Sequence, residues 1–162
     1  YEEALADFNK SLEIKPNDAN ILCNRGLTYN NMGRYEEALA DYNKSLEIRP
    51  NDAITLFNRG NTYINMSRYE EALADYNKSL EIKPNYANAL YNRGNIYLNM
   101  SRYEEALEDY NKSLEIRPND ANTLYNRGLT YNNMGKYEEA RADYNKSLEI
   151  RQNNVVILNN LD

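Results

Sequence analysis

The chain has no histidine and no tryptophan, one cysteine, and few prolines or glycines. Without histidine, the commonest general base and the commonest metal ligand are both missing. The single Cys23 can build neither an internal disulfide nor a structural zinc site, and it fits a reducing compartment, so the cytoplasm is the expected location. No apolar run approaches the roughly 20 residues that span a bilayer. No basic segment followed by an apolar one opens the chain at Tyr1, so a soluble protein is expected. Positive charge is also short: 19 Lys and Arg against 25 Asp and Glu leave a net charge of -6. Such a surface releases no counterions from phosphate backbones, which argues against nucleic acid and anionic membranes as partners. The six glycines form no phosphate-binding loop. Carboxylate pairs such as Glu36-Glu37 recur as a solvated surface rather than converging in one pocket. These absences imply no metal, no cofactor and no enzyme.

What the sequence has instead is a period. CNRGL at Cys23 returns as FNRGN at Phe57, YNRGN at Tyr91 and YNRGL at Tyr125, each copy 34 residues after the last. A period this regular points to a stack in which each unit touches only its neighbours, and a mean hydropathy of -0.90 matches the large wet surface of such a stack. Residues 1–18 read as the second helix of a partial copy and 19–154 as four full copies. Residues 155–162 form an apolar tail that could start a further first helix.

Each copy reads as two helices, for example Asp52 to Asn65 and Arg68 to Ile82, followed by Pro84. Asp18, Asp52 and Asp120 precede apolar-periodic segments, where a carboxylate can accept an orphan helix-start N–H; at the fourth such place Tyr86 leaves the cap to Asn85. In the second helix Tyr35, Ala38, Leu39, Tyr42, Leu46 and Ile48 fall at helical spacing. In the first, Leu22, Gly26, Tyr29 and Met32 form the apolar stripe, with Gly26 expected against Ala38.

Leu56, Gly60, Tyr63, Ala72, Tyr76, Ser79 and Pro84, repeated in the other copies, resemble the tetratricopeptide repeat family over nearly the whole chain. The resemblance implies an all-α fold, a right-handed superhelical solenoid of antiparallel helix pairs whose first helices line a concave, peptide-holding groove. Members that grip acidic chaperone C-terminal tails place lysines and an arginine along that groove. Here those slots hold Asn20, Cys23, Ile54, Phe57, Asn88, Tyr91, Asn122 and Tyr125, so that ligand is not expected.

Two sets of residues depart from the family pattern. Arg25, Arg59, Arg93 and Arg127 stand before the glycines, and the second helices carry Asp41, Asp75, Asp109 and Asp143 at one slot. An arginine beside the core needs an anion, so ion pairs are expected. Whether Arg59 meets Asp75 in its own copy or Asp41 in the preceding one is open. The other reading is a long side chain reaching out to solvent.

Asn88, Asn92, Asn95 and Asn99 fall on one stripe opposite Leu90, Gly94 and Tyr97. One member never varies: Asn24, Asn58, Asn92 and Asn126. An amide donates and accepts at once and can grip peptide backbone, which makes these four the candidate ligand residues. Asn61 and Asn95 share the stripe, and Phe57, Tyr91 and Tyr125 add aromatic surface beside it. Asparagine also fills exposed slots such as Asn43 and Asn77, so compositional bias competes with this reading. The expected function is a non-catalytic protein-interaction scaffold holding an extended peptide or disordered segment. The alternative is a structural array associating head to tail through its terminal helices, and a fragment of a larger enzyme is the third reading.

Overall fold

The computed structural model describes the backbone of residues 1–159 and the side chains of residues 1–153. The described residues form helices and no strand. They fall into two compact units, Tyr1–Pro84 and one beginning at Asn85. The first holds α1 (Glu2–Ile14), α2 (Ala19–Asn31), α3 (Tyr35–Ile48), α4 (Ala53–Asn65) and α5 (Tyr69–Ile82). The second holds α6 (Ala87–Asn99), α7 (Tyr103–Ile116), α8 (Ala121–Asn133) and α9 (Tyr137–Asn159). In each unit a first helix packs most heavily on the second helix of its own copy, as α2 does on α3 and α8 on α9. Successive first helices, α2 and α4 or α6 and α8, lie side by side. The architecture is an all-α solenoid of antiparallel helix pairs.

The helix ends follow local chemistry. Asp18, Asp52 and Asp120 each accept two backbone N–H groups at the starts of α2, α4 and α8. Helix α6 differs from expectation: its N-cap residue is Tyr86, and no side chain caps it. Asn85 stands one residue too far out. At the other end of α2, Gly33 adopts φ +75° while the Arg34 N–H returns to the Tyr29 carbonyl at 2.9 Å, a left-handed stop. In the middle two copies Ser67 and Ser101 hold that conformation at φ 59° and 58°, where a Cβ is strained.

The core of each copy is a tyrosine seated on a glycine. Tyr42, Tyr76 and Tyr110 are fully buried. A Cβ added at Gly60 would lie 2.7 Å from the Tyr76 ring, and one at Gly26 would lie 2.9 Å from Tyr42. Gly26 was expected against Ala38; the atoms nearest to a Cβ there belong to the Tyr42 ring, one turn further along α3, while in the last copy the carbonyl of Ala140, the equivalent alanine, lies 3.2 Å from such a Cβ on Gly128. Ala38 is itself buried. Ile48, the last residue of α3, is 39% exposed rather than core. Ser45, Ser79, Ser113 and Ser147 are buried and donate to the carbonyls of Ala19, Ala53, Ala87 and Ala121 at 2.7–3.2 Å. Each bond ties the second helix to the start of the first.

Arg59 donates through Nε and Nη2 to both oxygens of Asp75, at 2.7 and 2.6 Å. The same two-pronged bond joins Arg25 to Asp41, Arg93 to Asp109 and Arg127 to Asp143. Every arginine therefore meets the aspartate of its own copy, sixteen residues on, and the question left open by the spacing has one answer in all four copies. The third prong reaches backwards. Nη1 of Arg25, Arg59 and Arg127 donates to Asn9, Asn43 and Asn111 on the preceding second helix. One guanidinium thus joins three helices. The hydrogen bonds that Arg59 donates to Asp75 hold its pKa above the ordinary value, with burial opposing.

Helix α9 runs without a break through Gln152, where the other copies carry proline. The apolar tail and the end-to-end contact expected of it fall on residues 155–162, outside those whose side chains are described.

Two stability measurements test this account. Asp75→Ala strands a partly buried guanidinium and should lower the urea-unfolding free energy by about 3 kcal/mol; an unchanged midpoint would show that the pair contributes nothing. Ser67→Gly and Ser101→Gly should each add roughly 0.5–1 kcal/mol by removing left-handed strain, read as a rise in the same midpoint.

Candidate functional site

The first helices carry no carboxylate between Ala19 and Asn31, Ala53 and Asn65, Ala87 and Asn99, or Ala121 and Asn133. Their only cations are the four arginines bonded to aspartates. Apart from those paired arginines the first helices are uncharged and rich in amides, although the chain as a whole is acidic.

The stripe's members do not behave alike. Asn24 is exposed, and Asn58 and Asn92 are half-buried. Among the described residues Asn58 Nδ2 meets only the Cys23 sulfur, at 3.7 Å, a weak acceptor. Asn126 Nδ2 is held by two oxygens, Tyr91 Oη at 3.2 Å and Asn95 Oδ1 at 2.8 Å. Both bonds run through the nitrogen, so they fix the flip of this amide and turn its carbonyl oxygen away from them.

Asn61 and Asn95 have a task inside the fold. Each accepts a hydrogen bond from a buried tyrosine hydroxyl, Tyr76 at 2.6 Å and Tyr110 at 2.7 Å. In the second unit the bonds form a chain from Asn126 on α8 through Asn95 on α6 to Tyr110 on α7. The first unit has Leu27 at the central position, and the buried Tyr42 hydroxyl makes no hydrogen bond of ordinary geometry among the described residues, its nearest polar neighbour being Thr62. Burial pushes the Tyr42 and Tyr110 hydroxyls well above the usual phenol range. Sequence reasoning placed Asn61 and Asn95 on the ligand stripe and missed this bond. Its signal was available: one slot alternates between asparagine and leucine while the tyrosine stays constant.

The candidate aromatic residues each lie beside a tyrosine of their own copy's second helix. Phe57 and Tyr91 are half-buried and tilted against Tyr76 and Tyr110, with ring centres 5.9 and 6.3 Å apart. Tyr125 is 46% exposed, lies 5.4 Å from the Tyr144 ring and has the Arg151 guanidinium 5.7 Å from its centre. At the helix starts, Arg49 donates to Asn20 and Arg151 to Asn122. Further along, Asn30 Oδ1 accepts from Thr62 Oγ1 and Asn65 Nδ2, both at 3.0 Å. None of these links follows from the period alone.

The unequal tyrosines yield a paired test. Tyr76→Phe removes a made hydrogen bond and should cost about 1 kcal/mol, whereas Tyr42→Phe removes a buried orphan hydroxyl and should be neutral or stabilising. Introducing Leu27→Asn first should make Tyr42→Phe costly; equal effects at both tyrosines in denaturant titrations would refute the coupling.

The tetratricopeptide repeat family model matches residues 1–51, 17–85, 52–119 and 85–153, which is nearly the full length. Among solved structures, one described as the crystal structure of MamA superimposes with a TM-score of 0.85 at 24% identity, covering 93% of this chain and 88% of that one. MamA 41-end from Desulfovibrio magneticus RS-1 gives 0.84 at 23% identity, covering 94% and 86%. At these identities the likeness is one of fold. No match is found among the curated proteins compared. Among the described residues no helix is long and apolar enough to cross a membrane, and no cluster of acidic or sulfur side chains is placed to hold a metal ion. With its repeated glycine, tyrosine, alanine and proline slots filled in helix pair after helix pair, the chain belongs to the tetratricopeptide repeat family.

Proposed function

We propose that this chain is a non-catalytic interaction scaffold that holds an extended peptide or disordered protein segment along the face of its first helices. The observation that carries the reading is the segregation of charge. Every aspartate and glutamate of residues 1–153 lies on a second helix, in a turn or at a helix cap, while the first helices offer amides and aromatic rings. A solvated face with no task would favour Glu, Lys or Gln, which are better helix formers than Asn by a few tenths of a kcal/mol.

Asn24, Asn58, Asn92 and Asn126 are the main-chain contacts in this reading, and the hydrogen bonds refine their roles. Asn58, with only a sulfur for partner, can turn its amide to donate to a peptide carbonyl and accept from a peptide N–H. Asn126 keeps its nitrogen on Tyr91 and Asn95, so it contributes a fixed carbonyl acceptor. Phe57, Tyr91 and Tyr125 supply side-chain preference. Asn61 and Asn95 act behind this layer, by orienting buried hydroxyls and neighbouring amides. The absence of cations at the groove slots argues against an acidic chaperone tail, and the net charge of -6 against nucleic acid. A cytoplasmic location fits the single, buried Cys23 thiol.

A neutral face makes two measurable demands. For a peptide selected from a random display library, Asn24→Ala combined with Asn58→Ala should weaken binding roughly tenfold to a hundredfold by fluorescence anisotropy, at about 1 kcal/mol per lost hydrogen bond, with an unchanged melting temperature. Wild-type affinity should hold almost constant as salt is raised, because no exposed ion pair forms. Undiminished binding by the double variant, or a steep salt dependence, would defeat the proposal.

A further inference from the structure

Asn43 is an exposed residue of α3, where composition alone would account for an asparagine. Its side-chain oxygen nevertheless accepts from Arg59 Nη1 at 2.7 Å. Arg59 belongs to the next copy, where both oxygens of Asp75 hold it, and it follows Asn58 directly in α4. The second unit repeats the arrangement: Asn111 on α7 accepts from Arg127, which Asp143 holds and which follows Asn126. An outward-facing side chain of one copy is thus bonded to the neighbour of a candidate contact residue in the next.

The surroundings give this bond weight. Helix α3 packs more lightly on α4 than α4 packs on α5 within its own copy. Beside the bond lies a gap of about 400 Å³ whose lining includes Asn43, Leu46, Leu56, Arg59 and Lys78. One of about 390 Å³ lies beside Asn111 and Arg127. Close-packed side chains therefore do not fix one copy against the next at this place, and a hydrogen bond from a charged donor crosses at the edge of the gap. A second polar link joins the same two copies elsewhere, where Thr62 Oγ1 and Asn65 Nδ2 on α4 both donate to Asn30 on α2 at 3.0 Å. Two separated links fix an angle; one alone leaves a pivot. Asn24 and Asn58 stand on different copies, so their spacing depends on that angle.

We propose that Asn43 is a positioning residue: through Arg59 it holds the second copy at a fixed angle to the first and thereby sets the spacing of Asn24 and Asn58. Its effect on binding rests on the peptide-holding reading above, whereas its effect on shape rests on the hydrogen bonds alone.

The test uses the full chain in a Cys23→Ser background, with spin labels on cysteines introduced by Ala40→Cys and Ala74→Cys, exposed and equivalent positions of α3 and α5. Pulsed electron paramagnetic resonance reads the distance between the labels. Asn43→Ala removes the acceptor at an exposed position where alanine is the better helix former, so the fold is retained. The distance distribution should widen in that variant and narrow again in Asn43→Asp, which keeps an oxygen for Arg59. Binding is read separately, by fluorescence anisotropy, with a peptide selected on the unsubstituted chain from a display library and weakened by both Asn24→Ala and Asn58→Ala. Its affinity should fall roughly threefold to tenfold with Asn43→Ala, because a second contact at a loosened distance has a lower effective concentration. Asn43→Asp should restore it. An unchanged distance distribution in Asn43→Ala, or a wider one at undiminished affinity, would overturn the positioning role and leave the peptide reading intact. If no selected peptide responds to both Asn24→Ala and Asn58→Ala, the peptide reading falls, and the role of Asn43 in binding falls with it.

Discussion

A guanidinium gripped by two carboxylate oxygens holds each copy together, and the neutrality of the first helices depends on it. The arginine stands beside the packing glycine, where an unpaired charge would have to be desolvated or drawn out to water. Its aspartate, 5% exposed at Asp75, would be equally costly alone. Joined, the two satisfy each other and leave a third donor to reach the previous second helix at Asn9, Asn43 or Asn111. The charge of each first helix is thereby neutralised within its own copy. A chain of net charge -6 can thus present a neutral face.

The same economy of contacts appears around the buried tyrosine. The ring occupies the space left by a missing Cβ, so glycine and tyrosine form one packing unit. The hydroxyl then needs an acceptor, and the asparagine at positions 61 and 95 provides it. Where leucine replaces asparagine, as at Leu27, the hydroxyl is orphaned while the apolar surface gained faces outward at 39% exposure. Stability in the core and polarity on the face are coupled through a single side chain.

That coupling gives the copies different surfaces on one scaffold. In the first unit Cys23, Leu27 and Ile54 replace the hydroxyl and amides that Tyr91, Asn95 and Asn122 bring to the second. The invariant amides Asn58 and Asn126 therefore meet different neighbours, one a sulfur and the other two oxygens. Repetition supplies the spacing of the contacts, and the substitutions at the neighbouring slots decide what each contact can do.

The 34-residue period by itself determined the helix pairs, the buried alanines and tyrosines, the three aspartate caps and the membership of the family, because these depend on local spacing and on residue types that recur in every copy. The charge-free composition of the first helices could be read in the same way. Tertiary structure decided the rest. It chose the aspartate each arginine meets, brought the Tyr42 ring nearest to Gly26, left α6 without a side-chain cap, and gave Asn61 and Asn95 an inward task. The physical reason is that each of these depends on how far a side chain reaches across to another helix. Periodicity tells which way a residue points, but not how many ångströms separate it from the groups it faces.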